Sequence, residues 1–208
     1  MIQKDDVVLF IGDSVTDCGR SREDDTELGH GYAMMAASWF SAMYPEKNVT
    51  FLNRGISGNR VVNLQERWRE DCVDLKPDVV SILIGINDCW RRYDQNNPTS
   101  AEKYEEGYRD LLNQIKENLP GTKIILCEPF VLPVPEDRKM WREDLDPKIQ
   151  VVRKLAIEYG ATYIPLDGVF AQAAAARQPA FWANDGVHPS KAGHALMAQQ
   201  WLKAVKAI

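Results

Sequence analysis

Ser14 follows a short apolar run and a Gly-Asp pair. A serine there is a useful nucleophile only if a neighbouring base removes its proton. The chain offers three histidines. His194 sits in a helical pattern beside Ala192, Ala195 and Leu196 and reads as a packed or surface helix residue. His30 stands between two glycines and reads as a turn or capping group, with a place facing a cleft left open. His188 lies in Asp185-Gly186-Val187-His188-Pro189-Ser190. An Asp three residues ahead can fold its carboxylate onto the imidazole Nδ1–H, which leaves Nε2 to take the serine proton. Each piece also has a structural reading: Asp13-Ser14 suits a helix cap, and the Asp185 segment suits an Asx-type turn. Together they predict a nucleophile, Ser14, a base, His188, and an orienting acid, Asp185.

Acyl transfer at Ser14 would need donors around the oxygen on which negative charge develops. Gly58, in Gly55-Ile56-Ser57-Gly58-Asn59, can offer a backbone N–H that no side chain obstructs. Asn87 can offer its side-chain NH₂, and Ser14 its own backbone N–H. The competing readings are a turn glycine and a capping asparagine. Among the nearby acids, Asp13, Asp17 and Asp88 read as turn anchors, and Asp167 as a helix cap and second choice for the partner of His188. Trp90, Tyr93 and Trp182 flank these segments, and their faces suit the C–H patches of sugar rings; core or subunit packing is the other reading. Phe130–Asp146, proline-rich and without periodicity, reads as a loop over the site or against another subunit.

Positioning these groups requires strands that end at one edge. Val7–Ile11, Val49–Asn53, Val79–Ile84, Lys123–Cys127 and Thr162–Pro165 are apolar runs rich in β-branched residues, as expected of strands buried on both faces. Helical spacing fills the gaps: Tyr32–Tyr44, Val61–Leu75, Ser100–Leu119, a helix opened by Asp146-Pro147 and stopped by Gly160, and Ser190–Val205. Alternating elements predict an α/β chain: a three-layer α/β/α sandwich on a five-stranded parallel sheet, in one domain over 1–208. Ligands bind such sheets at the carboxyl ends of the strands. Ser14, the Gly55–Asn59 loop and Asn87 all follow strands.

The bulk properties fit. A formal charge of −5 without a basic stripe excludes a nucleic-acid partner. No apolar stretch approaches membrane-spanning length, so no membrane partner is expected. The opening segment has two acids before a short apolar run and no signal-peptide pattern, which points to the cytoplasm. Cys18, Cys72, Cys89 and Cys127 form no CxxC pair, so reduced thiols are expected rather than a zinc site.

The segments Gly12-Asp13-Ser14, Gly55-Ile56-Ser57-Gly58-Asn59, Gly85-Ile86-Asn87-Asp88 and Asp185-Gly186-Val187-His188-Pro189 occur in the order of the conserved blocks of the SGNH hydrolases, the GDSL esterase/lipase family, which the chain resembles. The resemblance spans positions 12 to 188. It implies a flavodoxin-like SGNH fold, catalytic Ser14, Asp185 and His188, an oxyanion hole of Ser14, Gly58 and Asn87, and no metal or organic cofactor. There is no GxSxG elbow, so an α/β-hydrolase fold fits poorly. Leu9–Arg20 and Ile84–Arg91, with Trp90-Arg91 after the third block, are most similar to intracellular bacterial acetylxylan esterases and related carbohydrate acetylesterases. That likeness implies an oligosaccharide ester substrate and a homo-oligomer. Gly186 departs from the larger residue expected between Asp and Val and leaves substrate preference open. A lysophospholipase or thioesterase, and a non-catalytic carbohydrate-binding protein, are the alternatives. An esterase of this kind would gain activity with pH through about 6.5, as His188 becomes neutral.

Overall fold

The computed structural model describes residues 1–208. Its central strand is β1 (Val7–Gly12), in which five of six residues are buried. β1 pairs in parallel with β2 (Thr50–Gly55) on one side and β3 (Val79–Leu83) on the other. β4 (Lys123–Cys127) and β5 (Thr162–Ile164) continue the sheet, in the order β2-β1-β3-β4-β5, every pair parallel. The chain direction across the sheet reverses between β1 and β3, so a crevice opens at their carboxyl ends.

Strand side chains alternate between two cores. Val8 and Phe10 of β1, Val79 and Leu83 of β3 and Ile125 of β4 face one; Leu9, Ile11, Val80, Ile82, Ile124 and Leu126 face the other. Nine helices connect and cover the strands: α1 (Ser14–Asp17), α2 (Tyr32–Met43), α3 (Val61–Trp68), α4 (Ile86–Asp94), α5 (Ala101–Asn118), α6 (Arg142–Tyr159), α7 (Leu166–Ala176), α8 (Pro179–Trp182) and α9 (Lys191–Ala204). α2, α7 and α9 close the first face and α3, α5 and α6 the second, which makes the three layers. Ser81, the polar residue in the middle of β3, is matched by Trp201, whose indole N–H donates to its hydroxyl at 3.1 Å. No helix is long and apolar enough to cross a membrane. All four cysteines are free.

Several boundaries differ from expectation. Pro147 does not open its helix; it lies in the second turn of α6, which begins at Arg142. The missing N–H is offset by ion pairs around that turn, Arg142 with Asp146 and Asp167, and Lys148 with Asp144. The helix after Val61 does not run on evenly, since Arg69–Val73 widens into a π-turn. α4 and α7 were not expected. Ile86, Cys89, Trp90 and Tyr93 of α4 nonetheless follow helical spacing and cover a small third core with Trp141, Leu145 and Ile149.

Close backbone approach fixes the edge that matters. A Cβ on Gly12 would lie 2.1 Å from the Leu83 carbonyl oxygen. Gly168 in α7 faces open space. Gly12→Ala is therefore expected to destabilise by about 1–3 kcal/mol, as overpacking does, while Gly168→Ala stabilises by about 0.5 kcal/mol. Urea unfolding of the two variants checks the pair; equal midpoints would contradict the packing described.

Candidate active site

The turn after β1 carries Asp13 and Ser14. The Asp13 carboxylate caps α1 by accepting from the Val15 N–H at 3.0 Å, and Ser14 is the first helical residue, half-buried at the strand end. Both readings of this segment hold at once: Asp13 is the cap, and Ser14 projects from it. Burial pushes the Asp13 carboxyl up to about 7, against the lowering effect of the Val15 N–H and the His188 charge.

Asp185 and His188 come from the loop before α9. One carboxylate oxygen of Asp185, Oδ1, accepts from the backbone N–H groups of Val187 (3.0 Å) and His188 (2.8 Å), which is the expected Asx-type turn. The other, Oδ2, lies 2.6 Å from His188 Nδ1. With the imidazole proton on Nδ1, Nε2 holds the lone pair that accepts the Ser14 hydroxyl at 2.9 Å. Burial alone would raise the Asp185 carboxyl, but the bonds from the His188 ring and the two N–H groups outweigh it and hold it well below the usual carboxylate range. The Asp185 hydrogen bond in turn holds His188 above its ordinary 6.5, which moves the expected titration upward.

The loop around His188 is braced from one side. Leu132 N–H donates to the Gly186 carbonyl at 2.8 Å. A Cβ on Gly186 would lie 2.2 Å from the Val134 carbonyl oxygen, and its φ is +82°. The glycine that departs from the family form is thus required by the segment pressed against it. Arg138 stacks over Trp141 (4.0 Å) and Trp90 (5.1 Å) and donates from Nε to the Asp185 carbonyl at 3.3 Å. Phe130, Val131, Leu132 and Trp141 are buried, and the segment Phe130–Val134 backs the His188 loop. The expected loop over Phe130–Asp146 is not continuous, because Glu136–Trp141 forms a 3-10 turn and Arg142–Asp146 is the start of α6.

Gly58 and Asn87 stand on the other side. Gly58 adopts φ +83°, open to glycine and costly for other residues. The preceding Ser57 is pinned by Asp17, whose Oδ2 accepts from the Ser57 N–H and hydroxyl, both at 2.9 Å, and from Arg22. Asn87, in the first turn of α4 and 3% exposed, donates one amide hydrogen to the Asn59 carbonyl at 3.1 Å. Its second N–H remains for another acceptor. The adjacent Asp88 accepts from the Val61 N–H at 3.1 Å, an anchoring role as expected.

Of the three aromatic candidates, Trp90 borders the site, its ring 5.9 Å from that of His188. Tyr93 and Trp182 make the contacts of the packing alternative. Tyr93 stacks flat on Trp141 at 5.3 Å, with its hydroxyl donating to the Met140 carbonyl. The Trp182 indole donates to the carbonyls of Ala173 (3.0 Å) and Arg177 (3.1 Å). Their polar handles serve packing. Asp167 is no cap; it sits in the first turn of α7, paired with Arg142. His194 is buried, accepts from the Tyr32 N–H through Nδ1 at 3.1 Å, and is pushed down to about 4 by burial and the His188 charge. Arg138 was missed by sequence reasoning, because no motif singles out an arginine that holds a backbone carbonyl.

Residues 10–196 match the model of the GDSL-like Lipase/Acylhydrolase family. An acetylxylan esterase from Geobacillus stearothermophilus is 39% identical over 206 residues, covering 95% of this chain and 93% of the relative. The crystal structure of an acetylxylan esterase from that organism matches with a TM-score of 0.88 at 36% identity, over 98% of this chain and 95% of the other. A protein from Parabacteroides merdae solved as a candidate GDSL-like lipase matches with a TM-score of 0.95 at 39% identity, over 100% of this chain and 99% of the other. Solved catalytic mutants of the Geobacillus esterase change a serine, a histidine and an aspartate, the last two three positions apart. Asp185 and His188 have the same spacing here.

An NMR titration of the histidines reads the electrostatics directly. His188 is expected to titrate above 6.5 and His194 near 4. Asp185→Asn removes the charge that favours the imidazolium, so the His188 midpoint should fall. A midpoint that ignores the substitution would contradict the pairing.

Proposed function

The chain belongs to the GDSL-like lipase/acylhydrolase family, and from that premise we propose that it is a serine acetylesterase. Its substrates are carbohydrate esters such as acetylated xylo-oligosaccharides, cleaved through an acyl-enzyme on Ser14. The observation that carries this reading is the continuous hydrogen-bond chain Ser14–His188–Asp185, at 2.9 Å and 2.6 Å.

In this mechanism Ser14 Oγ attacks the ester carbonyl carbon as His188 Nε2 takes its proton. The carbonyl oxygen becomes an oxyanion held by the N–H groups of Ser14 and Gly58 and by the free amide N–H of Asn87. Asp185 stabilises the imidazolium and fixes its tautomer. The C–O bond to the sugar then breaks, and the alcohol leaves with the proton from His188. Water, deprotonated by the same imidazole, attacks the acyl-enzyme; acetate departs and Ser14 recovers its proton.

A long acyl chain finds no cavity beside Ser14. The hollow beneath the Ser14 turn, among Val15, Ile86, Phe130 and Val187, measures about 10 Å³, scarcely room for one water. The larger apolar groove, about 450 Å³ between α2 and α9, is lined by Met34, Trp39 and Leu202 and by none of the site residues. The exposed ring of Trp39 in that groove supports self-association as a homo-oligomer. The Geobacillus relative supports the acetyl and xylan parts of the reading, Trp90 supplies an aromatic face for a sugar ring, and four free thiols support a cytoplasmic setting.

Hydrolysis of 4-nitrophenyl acetate and octanoate by wild type and variants tests this. Acetate should be preferred. Ser14→Ala should lower kcat by about 10⁶ and Asn87→Ala by about 10²–10³. The imidazolium cannot accept the serine proton, so kcat/KM should rise with pH, with its midpoint displaced above 6.5 by Asp185. Octanoate preference would move the substrate to lipids or thioesters. Undiminished turnover by Ser14→Ala would end the proposal.

A further inference from the structure

Arg67 lies on α3, outside the hydrogen-bond chain, yet its guanidinium reaches both the turn after β1 and the end of β2 with its following loop. Nη2 donates to the Gly12 carbonyl at 3.2 Å, just ahead of Asp13 and Ser14. Nε donates to the Asn59 side-chain oxygen at 2.8 Å, and Nη1 to the Arg54 carbonyl at 2.8 Å at the end of β2. Nη1 also pairs with Asp71, which itself binds Arg54 at 2.7 Å and so holds the fork from behind. The Arg67 side chain is only 14% exposed. Asn59, which it grips, follows Gly58 directly and takes the Asn87 amide on its backbone carbonyl at 3.1 Å. The Gly12 carbonyl also accepts the Ile56 N–H at 3.0 Å, so the turn after β1 and the loop after β2 share one acceptor.

We infer that Arg67 is a positioning residue that sets the nucleophile turn and both outer oxyanion donors, Gly58 and Asn87, relative to one another. The inference rests on the Ser14 reading above. It follows from geometry that only a planar fork can satisfy. Three acceptors, one on the turn after β1 and two on the end of β2 and its loop, are met by donors fixed in one plane, and an ammonium on a flexible stem cannot hold all three at once. The effect should fall on the transition state. Misplacing an oxyanion donor changes little for a neutral ester in the ground state and weakens the hold on the developing charge.

The test compares Arg67→Lys, Arg67→Ala, Ser14→Ala and Arg69→Lys on 4-nitrophenyl acetate, with thermal midpoints measured alongside. Arg69 forms an exposed pair with Asp74 on the same helical run and serves as the neutral control. Arg67→Lys is expected to lower kcat by about 10- to 100-fold with KM changed less than about twofold, because the loss is in alignment. Millimolar guanidinium should restore part of the kcat of folded Arg67→Ala and none of that of Asn87→Ala. A wild-type kcat in Arg67→Lys, a loss confined to KM, or a loss that tracks the thermal midpoint and ignores guanidinium would overturn the inference while Ser14→Ala stays inactive. Turnover surviving in Ser14→Ala would instead remove the reading beneath it.

Discussion

A hydrogen bond of 2.9 Å joins Ser14 and His188, residues 174 positions apart. Nothing local makes it. It requires β1 to end where the loop before α9 arrives, and the sheet order β2-β1-β3-β4-β5 brings that about. Consecutive crossovers in a parallel sheet leave the carboxyl ends of β1 and β3 flanking an open crevice. The turns after β1 and β2 and the start of α4 therefore meet there without any dedicated scaffold. The close approach of Gly12 to the Leu83 carbonyl keeps β1 and β3 in register at that end.

Once the turns meet, polar groups hold them. Asp17 pins Ser57, Asp88 pins the start of α3, and Asp185 divides its two oxygens between its own turn and the imidazole. These carboxylates are tools of shape as much as of charge: each accepts from backbone N–H groups that would otherwise be unsatisfied. The Arg138 stack adds a second brace, tying Asp185 to Trp90 and Trp141. The polar groups around Ser14 are thus held in place by the fold's own hydrogen bonds, the condition under which the donors of the proposed reaction would be most effective.

Much of this was legible in the residues. β-branched apolar runs located all five strands, with the boundaries of β4 matched at both ends, because a strand buried on both faces leaves little freedom in composition. Ser14, Gly58, Asn87, Asp185 and His188 could be picked out as candidates because each follows a strand or precedes a helix at a short, recognisable turn, and the structure joins Ser14, His188 and Asp185 by hydrogen bonds. What escaped notice depended on contacts distant in sequence. α4 carries apolar residues at helical spacing, but Asn87 and Asp88 in its first turn read as a loop. Pro147 reads as a helix start, but the packing of Leu145 and Ile149 on either side of it and ion pairs to Asp144, Asp146 and Asp167 carry the helix across it. Tyr93 and Trp182 resemble sugar platforms in sequence; their partners, Met140, Ala173 and Arg177, are visible only in three dimensions. The same holds for Gly186, whose need for glycine comes from the Val134 carbonyl.

The central claim is that His188 activates Ser14 and no other hydroxyl. Labelling with a fluorophosphonate, followed by intact-mass and peptide mass spectrometry, tests it most directly. The account predicts one adduct per chain, on the peptide bearing Ser14, and its loss in His188→Ala with the fold intact. Labelling at another residue, or labelling of Ser14 at an undiminished rate without His188, would contradict it.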